Sequence, residues 1–247
     1  MRVQPLRTHK ITGADRDLFA ILDAHLPALA EGSVLAITSK IVAIAEGRTV
    51  PFASAEKSRL VAEQAERYLP VSASKYGVSL TITRGMLIAT AGIDESNSDG
   101  HFILWPSDSQ AAANAVRAYL ARRFSLSRVG VVITDSKTTP LRIGVTGVAL
   151  AHSGFRALND YVGVQDLFGR ALRMTKVNVM DALATGAVLV MGEGSEQTPL
   201  AVVDDVPFVQ FQERDPSAAE LEQLRVSPED DLYAPLLERA PWQRNEP

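Results

Sequence analysis

Residues Val129–Thr134 read Val-Gly-Val-Val-Ile-Thr, an almost unbroken apolar run with no alternation of wet and dry positions. A strand with one face in water alternates polar and apolar side chains, so a run like this needs cover on both faces. It predicts a central, doubly covered strand in a layered, mixed α/β fold. The neighbouring segments supply the layers. Leu18, Ile21, Leu22, Leu26 and Leu29 recur at helical spacing behind a Thr12/Asp15 capping box. Ser33–Ser39 reads as a strand, Lys40 is a polar crossing, and Ile41–Ala45 is a second apolar stretch closed by a turn at Glu46-Gly47-Arg48.

Further along, Leu60, Val61, Ala65 and Tyr68 predict a helix stopped by Pro70. Val78–Thr83 and Met86–Thr90, joined by Arg84-Gly85, predict a hairpin, and a polar loop follows over Gly92–Gly100. Ser107 and Gln110 have capping-box spacing ahead of a helix carrying Ala112, Ala115, Val116, Tyr119 and Leu120. Ile143–Ala151 is another apolar run expected to be buried, partly against a second subunit, Asn178–Met191 reads as a helix, and Leu200–Val203 as a strand. From Gln212 the chain turns charged, with capping boxes at Ser217/Glu220 and Ser227/Asp230. The expected organisation is one domain over 1–211, with a subdomain boundary near 90, and a helical appendage over 212–247.

Composition narrows the chemistry. The 247 residues include no cysteine, which excludes disulfides, thiolate metal sites, iron–sulfur clusters and thiol nucleophiles. A net charge of −4 offers no broad basic surface, so nucleic acid is not an expected partner. No stretch reaches the roughly 18 apolar residues of a membrane span, and the first residues lack the apolar core of a signal peptide. A soluble cytoplasmic protein is expected.

Three polar clusters interrupt the apolar elements: Gly92–Asn97, Asp135–Thr138 and Gly192–Thr198. Carboxylates at element ends can converge on a hard divalent cation, and Gly-rich backbone can cradle phosphate. Each cluster taken singly is better explained by turn and cap chemistry. There is no P-loop and no dinucleotide-binding glycine pattern, and His9, His25, His101 and His152 are scattered. The residues by themselves say only that this is an α/β protein, with a divalent-metal phosphate site as one candidate.

In order along the chain come Val34–Arg48 (VLAITSKIVAIAEGR), Ala91–Asn97 (AGIDESN), Val131–Leu150 (VVITDS, then PLR-x-GVTGVAL), Asp160–Leu172 (DYVG-x-x-D-x-FGR-x-L) and Leu189–Pro199 (LVMGEG-x-E-x-x-P). This series resembles the coenzyme F-420:L-glutamate ligase family over roughly residues 5 to 205. The resemblance implies a γ-glutamyl ligase-type fold without a P-loop, an intertwined homodimer, and GTP-dependent amide ligation aided by Mn²⁺ or Mg²⁺ and sometimes K⁺. It puts Asp94, Asp135, Ser136 and Glu193 on metal-ligand positions. Thr8, His9, Lys10, Ile11, Ser39, Lys40 and Asn97 fall on nucleotide-contacting positions, as do Met191, Gly192, Glu193, Gly194, Ser195, Glu196, Gln197 and Thr198. Two departures stand out: Glu193 replaces the family's usual Gln, and Ile44 replaces a lysine, which leaves ATP open beside GTP. The TTPLR, GEG-x-EQTP and DDVPFV wording also resembles a side branch associated with folate.

The implied reaction phosphorylates an acceptor carboxylate, and the amine of L-glutamate then displaces phosphate. Arg142 and Arg170 are candidates for binding a substrate carboxylate, and salt bridges explain them equally well. The general base is not legible. The expected acceptor is the coenzyme F-420 precursor; a folate acceptor and a non-catalytic nucleotide- and metal-binding regulator are the competing readings.

Overall fold

The computed structural model describes residues 1–244. The chain begins β1 (Arg2–Leu6), α1 (Leu18–His25), β2 (Ser33–Thr38), α2 (Ser39–Ala45) and β3 (Thr49–Pro51). It continues α3 (Lys57–Gln64), β4 (Arg67–Tyr68), β5 (Leu80–Thr83), β6 (Met86–Ala89) and β7 (His101–Ile103). Then come α4 (Ser109–Phe124), β8 (Val129–Thr138), β9 (Val145–Ser153), β10 (Leu158–Asp160) and β11 (Lys176–Asn178). Last are α5 (Val179–Met191), β12 (Leu200–Asp204), α6 (Ala218–Glu222) and α7 (Ala234–Leu237).

A five-stranded sheet in the order β1-β12-β2-β8-β9 organises the molecule. Only β2 and β8 run parallel, and the other pairings are antiparallel. The apolar run on β8 is covered on both faces as expected. Val129, Val131 and Ile133 pack with α1, α2 and α4, while Val132 packs with α5. Its place is not central, however: β2 holds the middle, and its apolar residues divide between the same two layers, Leu35 and Ile37 in one and Val34 and Ala36 in the other. On β9, Gly147 lets the sheet approach α5 closely, because a Cβ there would lie 2.4 Å from the Ala184 carbonyl oxygen.

Between β3 and β7 a smaller lobe forms around α3 and the β4–β5–β6 sheet. Leu60, Val61, Ala65, Ala91, Ile93, Phe102 and Leu104 make its own core, drawn from both sides of residue 90. Its hairpin turn is Arg84-Gly85, both at positive φ, the geometry that matches strand twist.

Several local expectations shift. α1 starts behind Asp17, whose Oδ1 accepts from the Phe19 and Ala20 N–H groups, while Thr12 and Asp15 form only a turn. α4 is capped by Asp108 because Ser107 donates both N–H and O–H to Glu46. Tyr68 lies on β4, paired with Thr81, and not on a helix. Within one chain Ile143 is fully exposed and the apolar run at 143–151 is buried from Gly147 onward, so its first residues are the part the expected second subunit would cover. The Ser217/Glu220 capping box opens α6, whereas Ser227/Asp230 closes a turn without a helix. Beyond it the tail returns to the small lobe, where Gln243 exchanges backbone hydrogen bonds with Tyr68.

Candidate functional site

Because β2 and β8 are parallel and in register, Thr38 opposite Thr134, their carboxyl ends release the chain at one edge of the sheet. That edge is where open α/β sheets hold ligands. A cleft of about 380 Å³ lies there. Ser39 and Lys40 come from the start of α2, and Asp135 and Ser136 from the far half of β8. The small lobe contributes the loop holding Asp94 and Asn97, the α5–β12 connection contributes Met191–Thr198, and the segment after β1 contributes Thr8–Ile11.

Backbone and side-chain bonds tie these segments together. Thr8 N–H donates to the Gln197 carbonyl at 2.9 Å, and Thr38 N–H to that of Pro199 at 3.0 Å. Asn97 Nδ2 donates to the Gly194 carbonyl at 2.8 Å, bridging the small lobe to the glycine-rich connection. Within that connection Gly192 ends α5 at φ +79°, and Thr198 Oγ1 donates to the Met191 carbonyl at 2.5 Å. All residues assigned by resemblance to nucleotide or metal therefore share one cavity wall. Arg142 and Arg170 do not; both are exposed and lie outside the cleft.

The electrostatics centre on two carboxylates and one lysine. Lys40 Nζ lies 2.6 Å from Asp94 Oδ2. Burial pushes the Asp94 carboxyl up, but the hydrogen bond and charge of Lys40 outweigh it and hold the group below its ordinary pKa. Asp135 behaves oppositely. Burial pushes it up to about 6, only partly countered by the Trp105 indole N–H at 2.5 Å and the Ser136 N–H at 2.8 Å, and the Asp94 charge adds to the rise. On the far lip Ser136 Oγ donates to Glu193 Oε1 at 2.5 Å.

The donor chemistry fits a hard cation: Asp94, Asp135, Ser136 and Glu193 offer only oxygen. A part-buried carboxylate held at a raised pKa is a group that gains from a nearby positive charge. Among the described residues, no three carboxylate or imidazole side chains are already gathered into a cage. The cleft thus holds its carboxylates in separate hydrogen-bonded pairs.

Sequence reasoning missed Ser96, whose carbonyl and hydroxyl both accept from Lys40, although it sits inside the polar Gly92–Gly100 loop. It also missed Trp105, which stands in an apolar stretch and gives no local signal.

The family model described as F420-0:Gamma-glutamyl ligase matches residues 5–205. The chain belongs to that family of ligases. It is 37% identical over 218 residues to the coenzyme F420:L-glutamate ligase of Methanopyrus kandleri, covering 82% of this chain and 86% of that one. It is 34% identical over 213 residues to the like-named protein of Halorubrum lacusprofundi, covering 78% and 82%. With the one from Methanocaldococcus jannaschii it shares 38% over 146 residues, covering 57% and 58%. The family match stops at residue 205, so the charged tail with α6 and α7 lies outside it. No helix among the described residues is long and apolar enough to cross a membrane.

Proposed function

We propose that this ligase joins L-glutamate to a carboxylate of the coenzyme F-420 precursor, at the expense of a nucleoside triphosphate, in the cytoplasm. The observation that carries the reading is the convergence of five chain-distant segments on one cleft, with Lys40 and two carboxylates at its floor. An unactivated carboxylate does not condense with an amine in water, so the acceptor is phosphorylated first and the amine then displaces phosphate. Both phosphate donor and acceptor are anionic, which makes charge neutralisation and alignment the protein's main task.

Lys40 is the lysine at the cleft floor that would meet phosphate oxygens, exchanging for them its present bonds to Asp94 and Ser96. In the Gly192–Ser195 stretch of the cleft wall the Gly192 and Gly194 N–H groups are held by the Val188 carbonyl and the Glu196 carboxylate, which leaves the Glu193 and Ser195 N–H groups as the backbone donors for phosphate. Asp94, Asp135, Ser136 and Glu193 would hold Mn²⁺ or Mg²⁺, which supplies neutralisation of phosphate charge when bound; K⁺ is the expected additional cation. GTP is the proposed donor. The relatives' names favour the coenzyme F-420 precursor, a deazaflavin, over a folate as acceptor.

The homodimer belongs to the same reading. Leu141, Ile143, Leu167, Phe168 and Met174 project from the β8–β9 tip and the 160–176 arm, each at least 88% exposed. Apolar exposure on that scale calls for a partner surface.

The test offers the purified protein Mn²⁺, L-glutamate and either GTP or ATP, with the deazaflavin precursor and a tetrahydrofolate in parallel. Mass spectrometry is expected to show glutamylated deazaflavin with GTP. Glutamylation of the folate alone overturns the acceptor. Nucleotide binding with no product on either acceptor overturns the catalytic reading in favour of a regulator.

A further inference from the structure

We infer that Trp105 is a positioning residue for the cleft, its indole fixing how Asp135 and the loop of Asp94 are presented to a cation. The inference rests on the reading of the cleft as a metal–nucleotide site and names a residue behind its wall.

Trp105 lies two residues beyond β7, is 4% exposed, and does not line the cleft. Its Nε1–H donates to Asp135 Oδ2 at 2.5 Å, while the Ser136 N–H donates to Oδ1 at 2.8 Å. With one donor on each oxygen the carboxylate cannot turn about its Cβ–Cγ bond without losing a charge-assisted hydrogen bond. Each oxygen keeps lone-pair capacity for a second partner. A buried tryptophan N–H needs a hydrogen-bond partner. Here it meets a part-buried carboxylate on β8, which joins the small lobe to the main sheet.

The ring is itself held in place. Arg48 Nε donates to the Trp105 carbonyl at 3.1 Å, and Arg84 lies over the indole at 5.8 Å from its centroid. Arg84 in turn donates to the Pro106 carbonyl at 2.7 Å. On the cleft side the indole presses on Gly92, where a Cβ would stand 2.0 Å from Nε1 and 2.1 Å from Cε2. Gly92 also has φ +72°, so both space and backbone call for glycine. Two residues on, Asp94 pairs its backbone with Ile103 through bonds of 3.0 and 2.8 Å. One ring therefore sets the floor for the Asp94 loop and the orientation of Asp135. Hydrogen-bond partners of ligating groups have this function, and their loss costs about ten- to a hundredfold in metal affinity.

The experiment measures Mn²⁺ binding to the full chain by the electron paramagnetic resonance of free Mn²⁺, alongside thermal melting. Trp105→Phe removes the donor. Benzothienylalanine at position 105 removes it while preserving the ring's shape, which separates the hydrogen bond from packing. In a Trp242→Phe background Trp105 is the sole tryptophan, and Mn²⁺ is expected to quench its fluorescence. Both replacements at 105 are expected to weaken Mn²⁺ about ten- to a hundredfold, with the isostere melting close to wild type. Wild-type binding that the isostere leaves unchanged overturns the inference and spares the metal reading. A wild-type chain that binds no Mn²⁺ overturns both.

Discussion

Lys40 and Asp94 form an ion pair, Nζ to Oδ2 at 2.6 Å, that joins the start of α2 to the small lobe across the cleft floor. The same ammonium also bonds the Ser96 carbonyl and hydroxyl, so the lysine stands with three oxygen partners already in place. A phosphate entering the cleft would compete for that ammonium, leaving Asp94 free to meet a cation.

Asp94→Asn and Asp135→Asn are expected to abolish ligation, by about a hundredfold or more, without unfolding the protein. Asp135→Asn relieves the cost of burying an anion but leaves either the Trp105 or the Ser136 N–H facing an amide NH2, so it should stay folded and melt somewhat below wild type. Glutamate transfer assays and thermal melts of the two variants check this; full activity in both, or unfolding of both, refutes the assignment. Glu193→Gln should retain activity within about threefold, because an amide oxygen can accept from Ser136 Oγ as the carboxylate does.

Assembly is the second expectation. The exposed Leu167, Phe168, Leu141 and Ile143 should be covered in a dimer burying more than about 2,000 Å² in total. Analytical ultracentrifugation at micromolar concentration should show the dimer, and Leu167→Asp/Phe168→Asp should show the monomer. A wild-type monomer refutes the arrangement.

Stability should also fall in mild acid through His152. This imidazole is 2% exposed, its Nδ1 has no partner among the described residues, and burial pushes it down to about 4. Glu220 and the Phe155 backbone oppose that shift without reversing it. The unfolded chain takes up a proton near pH 6.5 that the folded chain refuses until about 4. Its contribution is therefore complete above the unfolded value and declines as pH falls through that window, by up to about 3 kcal/mol. Urea unfolding at several pH values should show this decline, and His152→Phe should flatten it.

The sequence by itself determined what depends on neighbours along the chain. The apolar run on β8 required cover on both faces, the Arg84-Gly85 turn closed its hairpin, and Asn178 capped α5 with its own side chain. Ordered polar clusters, read against a family, also named the residues of the cleft wall. Where several capping residues stood together, as at Thr12, Asp15 and Asp17 or at Ser107 and Asp108, local chemistry did not choose among them. Competing bonds did, such as the one from Ser107 to Glu46. Tyr68 kept helical spacing yet joined a strand because Thr81 and Gln243 pair with its backbone. The strand order, the Asn97–Gly194 bridge across 97 residues and the Trp105–Asp135 bond across 30 were decided by tertiary structure alone. Such contacts depend on which surfaces the packed layers bring together, and a tryptophan in an apolar run carries no local mark of the carboxylate it will meet.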